Sequence, residues 1–305
     1  MTVKKPIVVV GSINIDLVAD APRIPRAGET LIGTGFTTTP GGKGANQAVA
    51  VACLGYPVHM LGAVGEDVFG QALIDHLAAM GVATGAVTRV SGPSGVAAIL
   101  VAASGENSIV VVPGANGKVT PAFIDQQKSL IASAGMVLCQ LELPIETVTH
   151  TLAVCADVGI PVILDPAPAT VLPQSVWTKV AWFTPNETEA AFYVEGASSP
   201  EAAEQLLSRG LSGVVLKRGS ENAWLAQKGR CAGVSVPTFP VEAIDTVAAG
   251  DCFNGAFAVA LLEGRTPEAA ASFAAAAAAI SVTRRGAQAS MPNRTDVESF
   301  LSRHL

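Results

Sequence analysis

The sequence predicts an α/β protein: a doubly wound, mostly parallel sheet flanked by helices as a three-layer sandwich, with a small β-sheet appended. Three observations carry this. Short apolar runs such as Ile7-Val8-Val9-Val10 alternate with helix-like segments, the pattern of repeated βαβ units. The hydrophobic fraction is 50% but the aromatic fraction only 5%, so the core is built from Val, Ala, Leu and Ile, as in sheets buried on both faces. Two stretches, about 14–40 and 95–113, break the alternation and read as short edge strands outside the main sheet.

The remaining composition excludes several classes. A length of 305 residues allows one large domain or two, and the alternation supports one over 1–305. Net charge is −6 with no Lys/Arg run, which argues against a nucleic-acid surface. The five cysteines are scattered and free of C-x-x-C spacing, as expected of reduced thiols in a cytoplasmic protein without a zinc site. The apolar run after Lys4 and Lys5 stops at Gly11 and reads as a strand rather than a secretory signal. The Ala-rich segment 269–282 is too short to span a bilayer.

Taken in order, strand 7–10 ends in Gly11-Ser12-Ile13-Asn14-Ile15-Asp16. On an extended chain Asn14 and Asp16 face one side, where they either bind a polyol or cap a turn. Pro22, Pro25, Gly28, Gly33, Gly35 and Pro40 punctuate the first edge-strand region. Segments 95–101 and 108–113 form the second, and together they predict a lid. Pro40-Gly41-Gly42-Lys43-Gly44-Ala45-Asn46 is neither a Walker A loop nor G-x-G-x-x-G. Its glycines still let backbone approach a ligand, with Lys43 and Asn46 as donors. Strands are then expected at 58–61, 136–140, 161–164, 180–184 and 213–216, and helices at 68–80, 121–134, 144–158, 186–193 and 200–209.

In such sheets ligands sit beyond the carboxyl ends of the strands. Asn14, Asp16, Glu142, Asp165, Asn186, Glu189, Lys217 and Asp251 all follow strand ends on that one edge. Asn186 and Glu189 share a helix face, suited either to Mg²⁺ and its waters or to helix capping. Lys217-Arg218-Gly219-Ser220 is either a phosphate bracket or a charged turn. The segment from Asp245 to Asp251 leads into a buried helix starting near Gly250, which aims free N–H groups at the turn before it. Asp251 in its first turn is either a base beside an anion cradle or a residue complementing the helix dipole.

Gly41-Gly42-Lys43-Gly44-Ala45-Asn46-Gln47-Ala48 and Asp245-Thr246-Val247-Ala248-Ala249-Gly250-Asp251 resemble the two signatures of the ribokinase-like sugar kinase family. Asp165-Pro166-Ala167-Pro168-Ala169 and Thr184-Pro185-Asn186-Glu187-Thr188-Glu189 also match in order, so the resemblance covers essentially the whole chain.

The resemblance implies transfer of the ATP γ-phosphate to the 5-hydroxyl of ribose; the alternatives are deoxyribose, another sugar or a nucleoside. It implies that Asn14, Asp16, Gly42, Lys43, Asn46 and Glu142 bind the sugar. Asp251 is the implied base, with backbone N–H groups of Ala248, Ala249, Gly250 and Asp251 as the anion hole. Asn186, Lys217, Gly219, Ser220, Asn222, Gly250, Asp251 and Ala275 are implied at the nucleotide. Asn186 and Glu189 are implied to organise Mg²⁺ through water. Asp245, Val247, Ser281, Arg284, Gly286 and Ser290 are implied at an activating K⁺, largely through backbone oxygens. A homodimer through the lid is also implied. The chain departs from the family at Lys217, Arg218 and Ala275, which bear on nucleotide contacts. A non-catalytic sugar-binding protein and an NAD-linked oxidoreductase are the other classes such a sheet can host; Asp251 argues against the first and the lack of G-x-G-x-x-G after strand 7–10 against the second.

Overall fold

A computed structural model describes residues 4–194 and 199–304; residues 1–3, 195–198 and 305 of the expected domain lie outside them. The strands are β1 (Ile7–Val10), β2 (Asn14–Ala21), β3 (Gly35–Gly41), β4 (Val58–Gly65), β5 (Ala83–Val90), β6 (Gly95–Ala102), β7 (Asn107–Val112), β8 (Met136–Cys139), β9 (Val162–Leu164), β10 (Trp182–Phe183), β11 (Gly213–Leu216), β12 (Ala223–Gln227) and β13 (Val234–Val236). The helices are α1 (Lys43–Cys53), α2 (Val68–Ala79), α3 (Pro121–Gln126), α4 (Lys128–Ser133), α5 (Ile145–Asp157), α6 (Glu187–Tyr193), α7 (Ser199–Ser208), α8 (Ala249–Leu262), α9 (Pro267–Ser281) and α10 (Arg294–His304).

The main sheet runs β13-β12-β11-β10-β9-β8-β1-β4-β5 and is parallel except where β12 meets β11 and β13. Side-chain alternation places β1 between two apolar layers. Ile7 and Val9 join one with α1, α2, α8 and α9, while Val8 and Val10 join the other with α5 and α7. This double burial is why an unbroken β-branched run serves as the central strand. The chain leaves β1 for β4 on one side and later returns through β8 on the other. The crevice beyond the strand ends therefore opens at this reversal, between β1 and β8.

The second sheet has order β3-β2-β6-β7. It joins the main body at one rung, where Asn14 pairs with Gly41 on one side and Gly95 on the other. Gly42, at φ 90, turns the chain from β3 into α1; a Cβ there would lie 2.7 Å from the Asn14 nitrogen. Phe36, Ile109, Val110, Val111 and Val112 leave this sheet with exposed apolar side chains.

Several elements differ from the expectation. Segment 22–33 forms no strand. The expected helix 121–134 is broken at Gln127 into α3 and α4. β5 appears where the alternation Ala83-Thr84-Gly85-Ala86 is too weakly apolar to mark an edge strand. β12 and β13 add an antiparallel extension beyond β11. No described helix is long and apolar enough to cross a membrane.

Candidate active site

α8 begins on Ala248, which has φ 59, the one non-glycine residue with positive φ among those described. No side chain caps the helix. Its first turn keeps the N–H groups of Gly250 and Asp251 free of intrahelical partners, and Cys252 already bonds the Ala248 carbonyl at 2.9 Å. The Ala249 N–H turns back onto the Thr246 carbonyl at 3.3 Å, so this member of the expected anion hole is partly occupied.

Asp251 does not cap its own helix. Its carboxylate accepts from Asn46 Nδ2 at 2.9 Å and from Gln47 Nε2 at 3.1 Å, both on α1, and it is 4% exposed. Burial pushes its pKa up to about 6, aided by Asp165 and opposed by Lys43 and the two amides. Gln47 also donates to Asp165 Oδ2 at 3.1 Å and accepts from Gln140 Nε2 at 2.7 Å. Lys217 closes this group by donating to Asp165 Oδ1 at 2.9 Å. A Cβ on Gly250 would lie 3.2 Å from Lys217 Nζ, so that ammonium stands at the open end of α8.

A second cluster sits at the rung joining the two sheets. Glu142 accepts from the Ser12 hydroxyl and, at 3.1 Å, from the Lys43 N–H. Asn14 is buried and accepts from Asn116 Nδ2 at 2.7 Å. The Asp16 pKa is raised to about 6 by burial, then by Glu142 and Asp251. Burial opposes the charge on Lys43, but Asp251, Asp165, Glu142 and Glu189 outweigh it and hold the ammonium firmly protonated.

Beside this cluster lies a cavity of about 770 Å³, the size of a cofactor site. Lys43 and Asp251 line it, together with Asn186, Glu189, Lys217, Gly219, Ser220, Ala248, Ala249, Gly250 and Ala275. The structure thus brings the proposed sugar side (Asn14, Asp16, Gly42, Asn46, Glu142) and the proposed nucleotide side together at Lys43 and Asp251. Asn222 is the exception: its carboxamide oxygen accepts from the Thr238 N–H at 3.1 Å, and its side chain ties the β12 hairpin down instead of lining the cavity.

Asn186 and Glu189 form a reciprocal capping box on α6. Both Glu189 carboxylate oxygens accept from Asn186. No group of three or more His, Cys, Asp and Glu side chains among the described residues could hold a metal. This donor set fits Mg²⁺ only through waters and substrate phosphates. At the expected K⁺ position, Asp245 accepts from the Val247 N–H at 3.0 Å and the Gly286 N–H at 2.8 Å, joining the two segments. The Ser281 and Ser290 hydroxyls donate to Ala278 and Ala287, and Arg284 pairs with Asp296. The side chains there are committed, so a monovalent cation fits through backbone carbonyls.

Gln47, Gln140 and Gln288 were not singled out by sequence reasoning. A buried glutamine carries no charge signal; the available clue is a polar residue within an apolar strand end or a glycine-rich helix start.

A buried carboxylate beside an open helix start, between a polar cluster and a cavity of cofactor size, suits an ATP-dependent sugar kinase. Comparisons with known proteins agree. The model of the pfkB family carbohydrate kinases matches residues 4–294, and the chain belongs to that family. It is 45% identical over 301 residues to the ribokinase of Bacillus subtilis, covering 97% of this chain and 99% of that one. It is 38% identical to a deoxyribokinase of Salmonella typhi, over 97% of this chain and 98% of that one. The Arabidopsis thaliana ribokinase structure, complexed with ribose and ATP, superposes with a TM-score of 0.92 at 35% identity, covering 98% and 99%.

Proposed function

We propose that this enzyme transfers the γ-phosphoryl group of ATP to the 5-hydroxyl of D-ribose, giving ribose 5-phosphate and ADP. The observation that carries this reading is Asp251: a buried carboxylate, raised to about 6 and so ionised at neutral pH, at the junction of the two clusters. Asn14, Asp16, Gly42, Lys43, Asn46 and Glu142 hold the sugar. Asp251 takes the proton from the 5-hydroxyl, the sugar oxygen bonds the γ-phosphorus, and the bond from that phosphorus to the β-phosphate oxygen breaks as ADP leaves. The N–H groups of Ala248, Gly250 and Asp251 take the developing charge, with Ala249 contributing where its turn opens.

Asn186, Lys217, Gly219, Ser220 and Ala275 take the nucleotide. Asn186 and Glu189 would hold Mg²⁺ through its waters, where it would neutralise phosphate charge. Backbone oxygens of the 245–247 and 281–290 segments would hold K⁺, which would help fix the loop that forms the anion hole. The second sheet serves as a lid that excludes water. A second copy of the chain covers its exposed valines in a homodimer, and reduced thiols suit a cytoplasmic location.

A coupled ADP-release assay with Mg²⁺ tests this, comparing ribose, 2-deoxyribose, fructose and adenosine, each with K⁺ or with Na⁺ alone. Preference for ribose with K⁺ activation is expected. The match to a deoxyribokinase makes deoxyribose the second reading. Removing one bonded hydroxyl is worth roughly 1–3 kcal/mol, so a deoxyribose kcat/KM equal to or above that of ribose would move the assignment.

A further inference from the structure

A row of side chains runs from α2 to Asp251. His76, half-buried in the last turn of α2, places Nε2 2.9 Å from Gln288 Oε1. Gln288, in the short 3-10 turn Gln288–Ser290, is 4% exposed and donates from Nε2 to Asn46 Oδ1 at 3.1 Å. Asn46 donates from Nδ2 to Asp251 Oδ2 at 2.9 Å. Four separate elements thus contribute to one hydrogen-bonded line.

Its polarity is forced from the inner end. An ionised carboxylate only accepts, so Asn46 faces Asp251 with nitrogen and Gln288 with oxygen. Gln288 then donates inward and turns its carbonyl to His76, which donates through Nε2. If His76 carried its hydrogen on Nδ1 alone, each amide would reverse, and Asn46 Oδ1 would confront the carboxylate with no hydrogen between them. That arrangement leaves buried acceptors unpaired.

We propose that His76 and Gln288 are positioning residues for Asp251: held as the Nε2–H donor, His76 fixes the Gln288 amide, which fixes Asn46, which aims the carboxylate at the acceptor hydroxyl. No proton moves along the amides; the proton from the sugar stays on Asp251. The inference rests on the reading of Asp251 as the base.

Two measurements test it. In steady-state kinetics, Gln288→Leu and Gln288→Glu each lower kcat about tenfold with KM for ATP within about twofold, because neither donates to Asn46. His76→Phe behaves alike, and His76→Gln, which keeps an N–H donor, restores turnover. In an Asp251→Asn background, Gln288→Leu has no further effect on kcat. Nitrogen NMR of the imidazoles, which requires no turnover, shows His76 with its hydrogen on Nε2 in the wild type and as a mixture of tautomers in Gln288→Leu. Unchanged kcat in both Gln288 variants, a loss that His76→Gln does not recover, or an Nδ1–H tautomer in the wild type overturns the positioning role. Normal turnover by Asp251→Asn alone would instead sink the base assignment on which it rests.

Discussion

α2 and α8 both start beside a carboxylate, and they use it in opposite ways. Asp67 sits at the N-cap of α2 and accepts from the Phe69 and Gly70 N–H groups at 3.2 and 2.9 Å. It also takes the Ser94 N–H and hydroxyl, closing the helix start against β6. Burial alone would raise its pKa, but these four donors outweigh it and hold the carboxylate below its usual value. Asp251 sits three residues into α8, accepts only from another helix, and leaves the α8 start open. One carboxylate spends the helix N–H groups on stability, and the other leaves them open. The distinction lies in a shift of position along the helix, which composition cannot register.

The comparison breaks most decisively at Asp251. Asp251→Asn is expected to lower kcat by about a thousandfold or more, while calorimetry still detects binding of ribose and ATP; near-normal turnover removes its role as base. At Asp67 the effect moves to the other column. Asp67→Ala should cost about 2 kcal/mol by urea unfolding and leave kcat as it was. A large loss of kcat there, without loss of stability, would mean that the two helix starts do not divide the labour this way.

Titration sharpens the contrast. Asp251 and Asp16 are raised from 3.8 to about 6. Their protons are held more tightly in the fold than in the unfolded chain. Their contribution to stability is therefore present below 3.8 and lost as pH rises through about 6. Asp67, held low, contributes in the opposite sense: present above the ordinary carboxylate value and lost as pH falls. Denaturant midpoints of Asp251→Asn across this range should show a smaller fall with rising pH than the wild type. The kcat/KM profile should carry an acid limb near pH about 6, because the base must be ionised.

The smallest effect is expected at Ala248. Left-handed backbone costs an alanine roughly 1 kcal/mol, so Ala248→Gly should raise the thermal midpoint slightly or leave it unchanged. A clear drop would show that the methyl group packs at the loop.

What the sequence disclosed followed the same divide. β1, α2 and α8 were legible because burial on one or two faces writes itself as an apolar run or a helical period. The lid strands, largely exposed at β3 and β7, were legible from β-branched residues set between Gly and Pro. β5 was not, since an edge strand with Gly85 and only one fully buried residue has little to repeat. β12 and β13 were hidden behind Lys217-Arg218-Gly219-Ser220, where turn residues and charges read as a ligand loop and also begin a hairpin. Charged members of the site stood out in an apolar chain. Gln47, Gln140 and Gln288 did not, because their role depends on which carboxylate or amide the fold sets opposite them. Asn186 and Glu189 show the converse: their spacing was visible, and the capping box it encodes was one of the two meanings open to it.

The alanine-rich α9 divides mutational freedom in two. Ala275, Ala278, Ala279 and Val282 follow one another at helical spacing along the cavity wall. Ala270, Ala274 and Ala277 on the same helix are fully buried in the core. An added methyl group on the inner face has no room in this close-packed core, which α9 shares with α8. Ala275 and Ala279 belong to the same core but also line the cavity, so an enlarged side chain there has open space on one side. If the nucleotide binds as proposed, exchanges along this single stripe would retune which base is accepted at a smaller cost to the fold than exchanges on the inner face.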